Sequence, residues 1–464
     1  MANENATTVD EQNLIGRYER LPFVSYFSII ILIVGVAAWF IDIMDLTASG
    51  VTVPAIAKIY HWNSFEESFA LGAVFLGAFI GAISGGYLAD KIGKKKILLY
   101  GVGLMGLGSL LTLFTFNSYS YWIFRTITGI GIGMGLTMGW AFLVDIVPSR
   151  ARGRWFGLTG ALGQSATPII AFTSLGLLGI SLYFWRYIYV ITTIIALILF
   201  ILVLFYTPES LRYYLAKGEY EKAKAVVEGI EKKVKKQYKK ELPPPSETIY
   251  QVKKEKAPFS ELFSKQLRRI TALTTLAFVF SVVASYGFSA FLPVILIAKG
   301  FTIIKSVEYS ALGYVGGIIG ALFFSAIGDR IQRRLLLLIF LVVNGFLVLI
   351  FAFTINVIEL VTLAFFIYFL NQAFGFAAVN YVPEVFPDRN RSTGSGFANG
   401  LGRLFTFATF VFLGAILKTL GSSPQLIMIF VFFVIGGILF YLVGVDANKK
   451  TVESYTEATA SGHK

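Results

Sequence analysis

Gly86-Tyr-Leu-Ala-Asp90-Lys-Ile-Gly93-Lys94-Lys95 is answered later in the chain by Ser325-Ala-Ile-Gly-Asp329-Arg330-Ile-Gln-Arg333-Arg334, and the two acids stand 329 − 90 = 239 residues apart. A second pair keeps the same spacing. Asp145-Ile-Val-Pro148-Ser-Arg150-Ala-Arg152 recurs as Glu384-Val-Phe-Pro387-Asp-Arg389-Asn-Arg391, and 384 − 145 = 239 again. Two unrelated motifs at one offset mark a duplicated half, and an internal repeat takes precedence over any single motif in deciding architecture.

Outward from these motifs the chain is a series of long apolar runs. Its 464 residues are 56% hydrophobic and only 14% charged, against roughly 25% charged in a soluble domain. Runs such as 191–206 and 335–353 have no polar face and recur too often to be buried core helices. Segments of about 20 apolar residues give twelve candidate membrane helices, near 24–46, 66–89, 97–117, 119–144, 155–178, 185–206, 272–297, 307–329, 335–355, 358–384, 394–418 and 424–446. The reading is an all-α membrane protein of two six-helix bundles, 1–207 and 271–464, joined by a polar linker, 208–270.

The net charge of +13 follows topology. Of the 40 Lys and Arg, only Lys58, Lys299, Lys305 and Lys418 fall on the side opposite the tails and linker. The positive-inside rule therefore places both termini and the linker in the cytoplasm, in a multi-pass plasma-membrane protein. Basic residues interleaved with apolar runs make no nucleic-acid patch. There is no cysteine and only two histidines, so thiol chemistry and metal centres are not expected, and no cofactor is implied. No phosphate-binding loop with Lys and Ser/Thr is present to drive an ATP pump. The linker carries an amphipathic, Lys-rich pattern from Gly218 to about Lys240, broken by Pro243, Pro244 and Pro245, which suits a solvated helix leaning on anionic headgroups.

Two same-orientation six-helix halves are the arrangement of parallel-repeat transporters. With Gly86 to Lys96, Arg125-Thr-Ile-Thr-Gly129-Ile-Gly131-Ile-Gly133, Pro208-Glu-Ser-Leu-Arg212 and Pro383-Glu384-Val-Phe-Pro387, the chain resembles the major facilitator superfamily. Within it, the similarity is to the sugar-porter-like group, which includes aromatic-acid/proton symporters and organic-ion transporters. The resemblance implies alternating access, a small-molecule substrate, a proton as coupling ion, a lipid bilayer as surroundings and function as a monomer.

The duplication separates scaffold from specialisation. Gly86, Asp90, Gly93, Lys94, Asp145, Arg150 and Arg152 have counterparts in or beside Asp329, Arg330, Arg333, Glu384, Arg389 and Arg391. They are expected to form a cytoplasmic gate whose salt bridges join the bundles. By contrast, Asp42 maps to Ser281, Asp45 to Ala284 and Arg125 to Ala364, so these membrane-depth charges belong to the first half alone. Such charges are costly unless paired or facing water, and mark function by default. Asp42 and Asp45 share one helix face, where like-charge repulsion favours one of them holding a proton. The resemblance puts Asp45 in the proton-carrying position, paired with Arg125.

The substrate is expected among Gln164, Tyr286, Asn371, Gln372, Asn380, Tyr381 and Arg403. The seventh helix, Phe280-Ser-Val-Val-Ala-Ser-Tyr-Gly-Phe-Ser289, has none of the Gln or Asn side chains that suit sugar hydroxyls. Asp42-Ile-Met-Asp45 has the acid spacing of aromatic-acid/proton symporters. Arg403 is the mate of Gln164 at the common offset and could fork onto a carboxylate. The favoured function is proton-coupled symport of an organic or aromatic carboxylate. The alternatives are a sugar/proton symporter, an uncoupled sugar facilitator and, more remotely, a transporter-like sensor. No enzymatic activity is expected.

Overall fold

A computed structural model describes residues 13–22, 24–147, 152–244, 258–327, 331–387 and 390–444, excluding the side chains of Asp90, Val144, residues 152–157 and Ser392. Its membrane helices are α1 (Ser25–Tyr60), α2 (Ser64–Ile92), α3 (Lys94–Thr112), α4 (Ser118–Ile146), α5 (Arg152–Ile180), α6 (Trp185–Tyr206), α7 (Arg268–Ala298), α8 (Ile303–Ile327), α9 (Arg333–Phe353), α10 (Val357–Glu384), α11 (Arg391–Leu420) and α12 (Ser422–Val443). Eleven are apolar and long enough to cross a bilayer on composition alone. The remaining one, α3, is diluted by Lys94, Lys95 and Lys96 and by four glycines.

The helix starts carry the repeat. From α2 to α8 the step is 303 − 64 = 239, and α3 to α9, α4 to α10 and α5 to α11 repeat it at 333 − 94, 357 − 118 and 391 − 152. Even a cap is duplicated. The Asn117 side chain accepts from the Ser120 N–H at 2.8 Å to start α4, and Asn356, its mate at 239, accepts from Ile358 N–H at 2.9 Å to start α10, each cap supplying an otherwise missing partner at the helix N-terminus.

Packing follows the same symmetry. In the first bundle α4 lies against α2 and α3, α3 against α6, and α1 against α5; α10 with α8 and α9, α9 with α12, and α7 with α11 repeat this. The bundles meet where α2 crosses α11 and α5 crosses α8, with α1 against α7 between. Small residues allow the closest approaches, as expected where lipid supplies no hydrophobic drive between helices. A Cβ on Gly77 or Gly81 of α2 would fall on the carbonyl oxygen of Thr126 or Ile130 of α4. Their mates Gly316 and Gly320 face the carbonyls of Phe365 and Phe369 in the same way.

The first helix departs from the expected 24–46 span. It continues unbroken to Tyr60 because Thr47, Ser49, Thr52 and Pro54, which look like a polar ending, are turned into the bundle or bond to their own helix, Thr47 to Ile43 O and Thr52 to Ala48 O. It also contains a π-helical segment, Val36–Phe40, in which Ile41 N–H reaches back to Val36 O.

The linker contains helices Leu211–Ala216 and Tyr220–Tyr238, the second burying Ala223, Val227, Ile230 and Val234. It is held to the first bundle by Glu231, which accepts from Arg17 at 2.6 Å and Arg20 at 2.8 Å. On the other side, Phe259 and Phe263 pack edge-on against Phe397 of α11. Burial opposes ionisation of Glu231, but hydrogen bonds and charge from Arg17 and Arg20 outweigh it and hold its carboxyl below the usual range. A depressed carboxyl contributes stability above its unfolded value, about 4.3, and that stability is lost as pH falls through the lower folded value. Protection from hydrogen exchange over residues 13–19 and 220–238, taken relative to the unfolded chain at each pH, should therefore be high at neutral pH, fall in strong acid, and be low already at pH 7 in Glu231→Gln.

Candidate functional site: a buried ion pair beside the bundle interface

Asp45 on α1 and Arg125 on α4 are both wholly buried. Arg125 meets the carboxylate as a fork, Nη1 donating to Oδ1 at 2.9 Å and Nη2 to Oδ2 at 2.5 Å. Parallel charge-assisted bonds of this kind are the geometry that can hold two charges away from water. The Ser109 hydroxyl of α3 donates to Oδ1 at 3.1 Å. The guanidinium also lies 5.6 Å from the ring centroid of Tyr189 on α6, a cation–π distance.

A cluster of hydroxyls continues along the same seam. Tyr121 and Tyr189 join oxygen to oxygen at 2.9 Å, Ser49 reaches Tyr121 at 3.2 Å and Thr52 reaches Tyr189 at 3.1 Å. Asp45, Ser49 and Thr52 are i, i+4 and i+7 on one helix face, which is why one seam collects them. The second bundle does not repeat it at the matching positions. At the 239 offset the positions of Asp45, Ser49, Ser109, Tyr121, Arg125 and Tyr189 hold Ala284, Phe288, Val348, Leu360, Ala364 and Met428. Phe288 there packs edge-on against Phe351 at 5.3 Å.

Asp42, one turn before Asp45, is also buried, and its Oδ1 has no hydrogen-bond partner. The opposite charge acting on it is Arg403 of α11, in the other bundle, and Tyr286 of α7 is within electrostatic reach of both. No ion pair joins Asp42 and Arg403 among the described residues. The Tyr286 ring in turn meets Phe75 of α2 at 4.9 Å across the interface.

Gln164 of α5 and Gln372 of α10 converge on Gly317 of α8, where a Cβ would stand 3.2 Å from Gln164 Nε2 and 3.1 Å from Gln372 Cγ. Gln164 Nε2 donates to Thr167 at 3.2 Å while its Oε1 is buried without a partner. Beside it Trp39 lies against Gly163, 5.4 Å from Trp140 and 6.3 Å from Phe376, its indole N–H also buried and unpartnered. These groups are contributed by both bundles.

Other expected substrate contacts lie elsewhere. Asn371 turns into the second bundle, accepting from Asn344 at 2.7 Å, and Tyr381 is buried against Phe440. Asn380 is exposed, with its amide on Phe376 O at 2.9 Å. An apolar helix that is packed on some faces and exposed on others gives no sequence sign of which face looks into the interface, and these three stand apart from the Gln164–Gln372 group. The hydroxyls of Ser109, Tyr121 and Tyr189 were missed for a related reason. A Ser or Tyr in an apolar helix is ordinary, and only their convergence distinguishes them.

The charged motifs at the linker end behave differently from expectation. Lys94 binds Asp145 at 2.7 Å, and Ser210 donates to the same carboxylate. Arg333 pairs with Glu384. Both pairs close within a bundle and tie neighbouring helices together, whereas joining of the bundles was expected. Gly93, at φ +105, sits on the carboxylate of Glu209, which also accepts from Lys95 N–H at 3.0 Å. Gly86 has nothing within 4 Å of a Cβ position, and Arg391 is exposed. Arg150, Asp329, Arg330 and Arg389 lie outside the described residues, as do the side chains of Asp90 and Arg152.

The family model described as Major Facilitator Superfamily matches residues 35–408. The inner membrane metabolite transport protein YdjE of Escherichia coli (strain K12) is 25% identical over 460 residues, covering 97% of this chain and 100% of that protein. The 4-hydroxybenzoate transporter PcaK of Acinetobacter baylyi is 26% identical over 463 residues, covering 98% and 96%. Among solved structures, the partially occluded inward open conformation of the xylose transporter XylE from E. coli superimposes with a TM-score of 0.72 at 16% identity, covering 92% of this chain and 100% of that one. The family match, the duplicated six-helix bundles and these relatives agree: the chain belongs to the Major Facilitator Superfamily and is a multi-pass membrane transporter, not an enzyme.

Proposed function

We propose that the protein is a proton-coupled symporter of a small organic carboxylate in the plasma membrane, working by alternating access. The observation that carries the coupling is the wholly buried Asp45–Arg125 fork, present in one half of a duplicated chain and replaced by Ala284 and Ala364 in the other. A scaffold pair would be expected in both halves. Protonation of Asp45 releases Arg125 from its counter-charge and loosens α1 from α4, which is a switch of the kind a proton gradient can drive.

Substrate sign rests on Arg403. It is buried at the interface, lies within the field of Asp42 without pairing to it, and has the Trp39–Phe376 aromatic cluster in the same interface to accept a ring. The likeness to a 4-hydroxybenzoate transporter points the same way. A sugar remains the second reading, supported by Gln164 and Gln372 meeting at Gly317. The acid and base motifs at the linker end would serve as the cytoplasmic gate by bracing each bundle as it rocks.

The deciding measurement is uptake of labelled aromatic carboxylates and monosaccharides into proteoliposomes under an imposed pH gradient. For a carboxylate, Arg403→Gln should weaken binding by about ten- to a hundredfold, the loss of a charge-assisted bond of about 1.5–3 kcal/mol. Gln164→Ala should have a much smaller effect. The reverse ranking would replace the carboxylate with a sugar.

A further inference from the structure

We propose that the C-terminal end of the linker helix Tyr220–Tyr238 is a docking surface for anionic phospholipid headgroups, which hold the rim of the first bundle to the bilayer surface. Lys232, Lys233, Lys235, Lys236, Lys239 and Lys240 are all exposed, and no acid lies between Lys232 and Lys240. None of the six forms an ion pair among the described residues. Of the acids of this segment, Glu219, Glu221 and Glu228 precede the cluster, Glu231 is taken up by Arg17 and Arg20, and Glu241 alone follows it directly.

The position of the cluster is fixed by three contacts. Gln237 accepts from the Tyr26 backbone N–H at 2.9 Å and from the Ser25 hydroxyl at 3.3 Å, and the Lys233 ammonium lies 5.0 Å from the Tyr26 ring centroid. Ser25 and Tyr26 are the first two residues of α1, a membrane-spanning helix. Ile29, three residues on, is an exposed apolar side chain. At a rise of about 1.5 Å per residue, Ile29 lies only about 5 Å along α1 from Tyr26, the residue on which Gln237 and Lys233 rest. That is headgroup height. The buried face of the linker helix is occupied by Ala223, Val227, Ile230 and Val234, so the helix cannot turn its lysines inward. A row of unneutralised ammonium groups at this height complements the negative surface potential of an anionic leaflet, where each engaged lysine adds about fivefold to lipid affinity.

The chain has no cysteine, so one can be introduced as a single reporter. Gly229 is exposed, with nothing within 4 Å of a Cβ position, and Gly229→Cys can carry a fluorophore beside the cluster in the full-length protein. The protein is reconstituted in phosphatidylcholine vesicles containing brominated phosphatidylglycerol or, separately, brominated phosphatidylcholine. The expected result is stronger quenching by the phosphatidylglycerol, reflecting at least about fivefold local enrichment that falls with added salt. The preference should vanish when all six lysines are changed to Gln in the same reporter. Equal quenching by both lipids overturns the proposal, as does a preference insensitive to salt or one that survives the six substitutions. The salt series needs no lysine variant, so misfolding of the six-Gln protein cannot shield the proposal. A surface made for an acidic protein instead would show no lipid preference.

Discussion

Asp45→Asn should abolish accumulation of substrate against a gradient while exchange of labelled for unlabelled substrate continues. The amide keeps nearly the shape of the carboxylate and can still accept from Arg125 and Ser109, which now bind the ion-pair oxygens at 2.5–3.1 Å. It cannot take up and release a proton. Proteoliposomes under an inward proton gradient separate the two properties: uphill uptake drops to the no-gradient level and counterflow persists. Uphill uptake at the parent rate would end the coupling assignment. Arg125→Met has a different signature, since it strands a wholly buried carboxylate. Breaking a buried pair in this way costs about 3–5 kcal/mol, so that variant should be poorly folded as well as inactive.

Gly81→Leu should prevent the first bundle from assembling. The added side chain would begin on the carbonyl oxygen of Ile130, in backbone that cannot move aside as a side chain can. Even Gly81→Ala should cost about 1–3 kcal/mol, the usual range for overpacking, and Leu considerably more. Gly320→Leu should fail equally, because Gly320 stands over Phe369 as Gly81 stands over Ile130. Gly86→Ala, five residues from Gly81 with open space at its Cβ, is the control and should melt like the parent. Thermal stability of detergent-solubilised protein, followed by size-exclusion chromatography, checks all four. A normal melt for Gly81→Leu would show that α2 and α4 are not packed as described.

Much of this architecture could be read in the amino-acid order because a bilayer demands long apolar helices and a duplication repeats them. The starts of α2 to α5 and α8 to α11 confirm the 239-residue step that the Asp90/Asp329 and Asp145/Glu384 motifs had implied. The Asp45–Arg125 pair was legible for a related reason, since charge at membrane depth is costly enough to be rare. What escaped is what depends on direction. The end of α1 looked polar, yet Thr52 and Ser49 face a bundle and not water. Asn371 reads in the sequence as a free polar group, and only the structure shows that its oxygen is taken by Asn344. Opposite acids and bases at the linker end were expected to bridge the bundles, but Lys94–Asp145 and Arg333–Glu384 close over shorter distances within each.

The π-helical turn at Val36–Phe40 has a genealogical reading. A wider turn holds one more residue than an α-helical path of the same course, and such turns gather at functional sites. The corresponding part of α7 is uninterrupted α-helix. If the turn arose as a single-residue insertion after the halves duplicated, the register between them must slip there. Residues beyond the turn keep mates 239 positions on, whereas those before it should find theirs at 240. Deleting Phe40, the last residue of the turn, would then restore the ancestral winding, swinging Trp39 and everything before it by about a hundred degrees relative to Asp42. The two acids and the aromatic wall would no longer share an orientation, in a protein that could still fold.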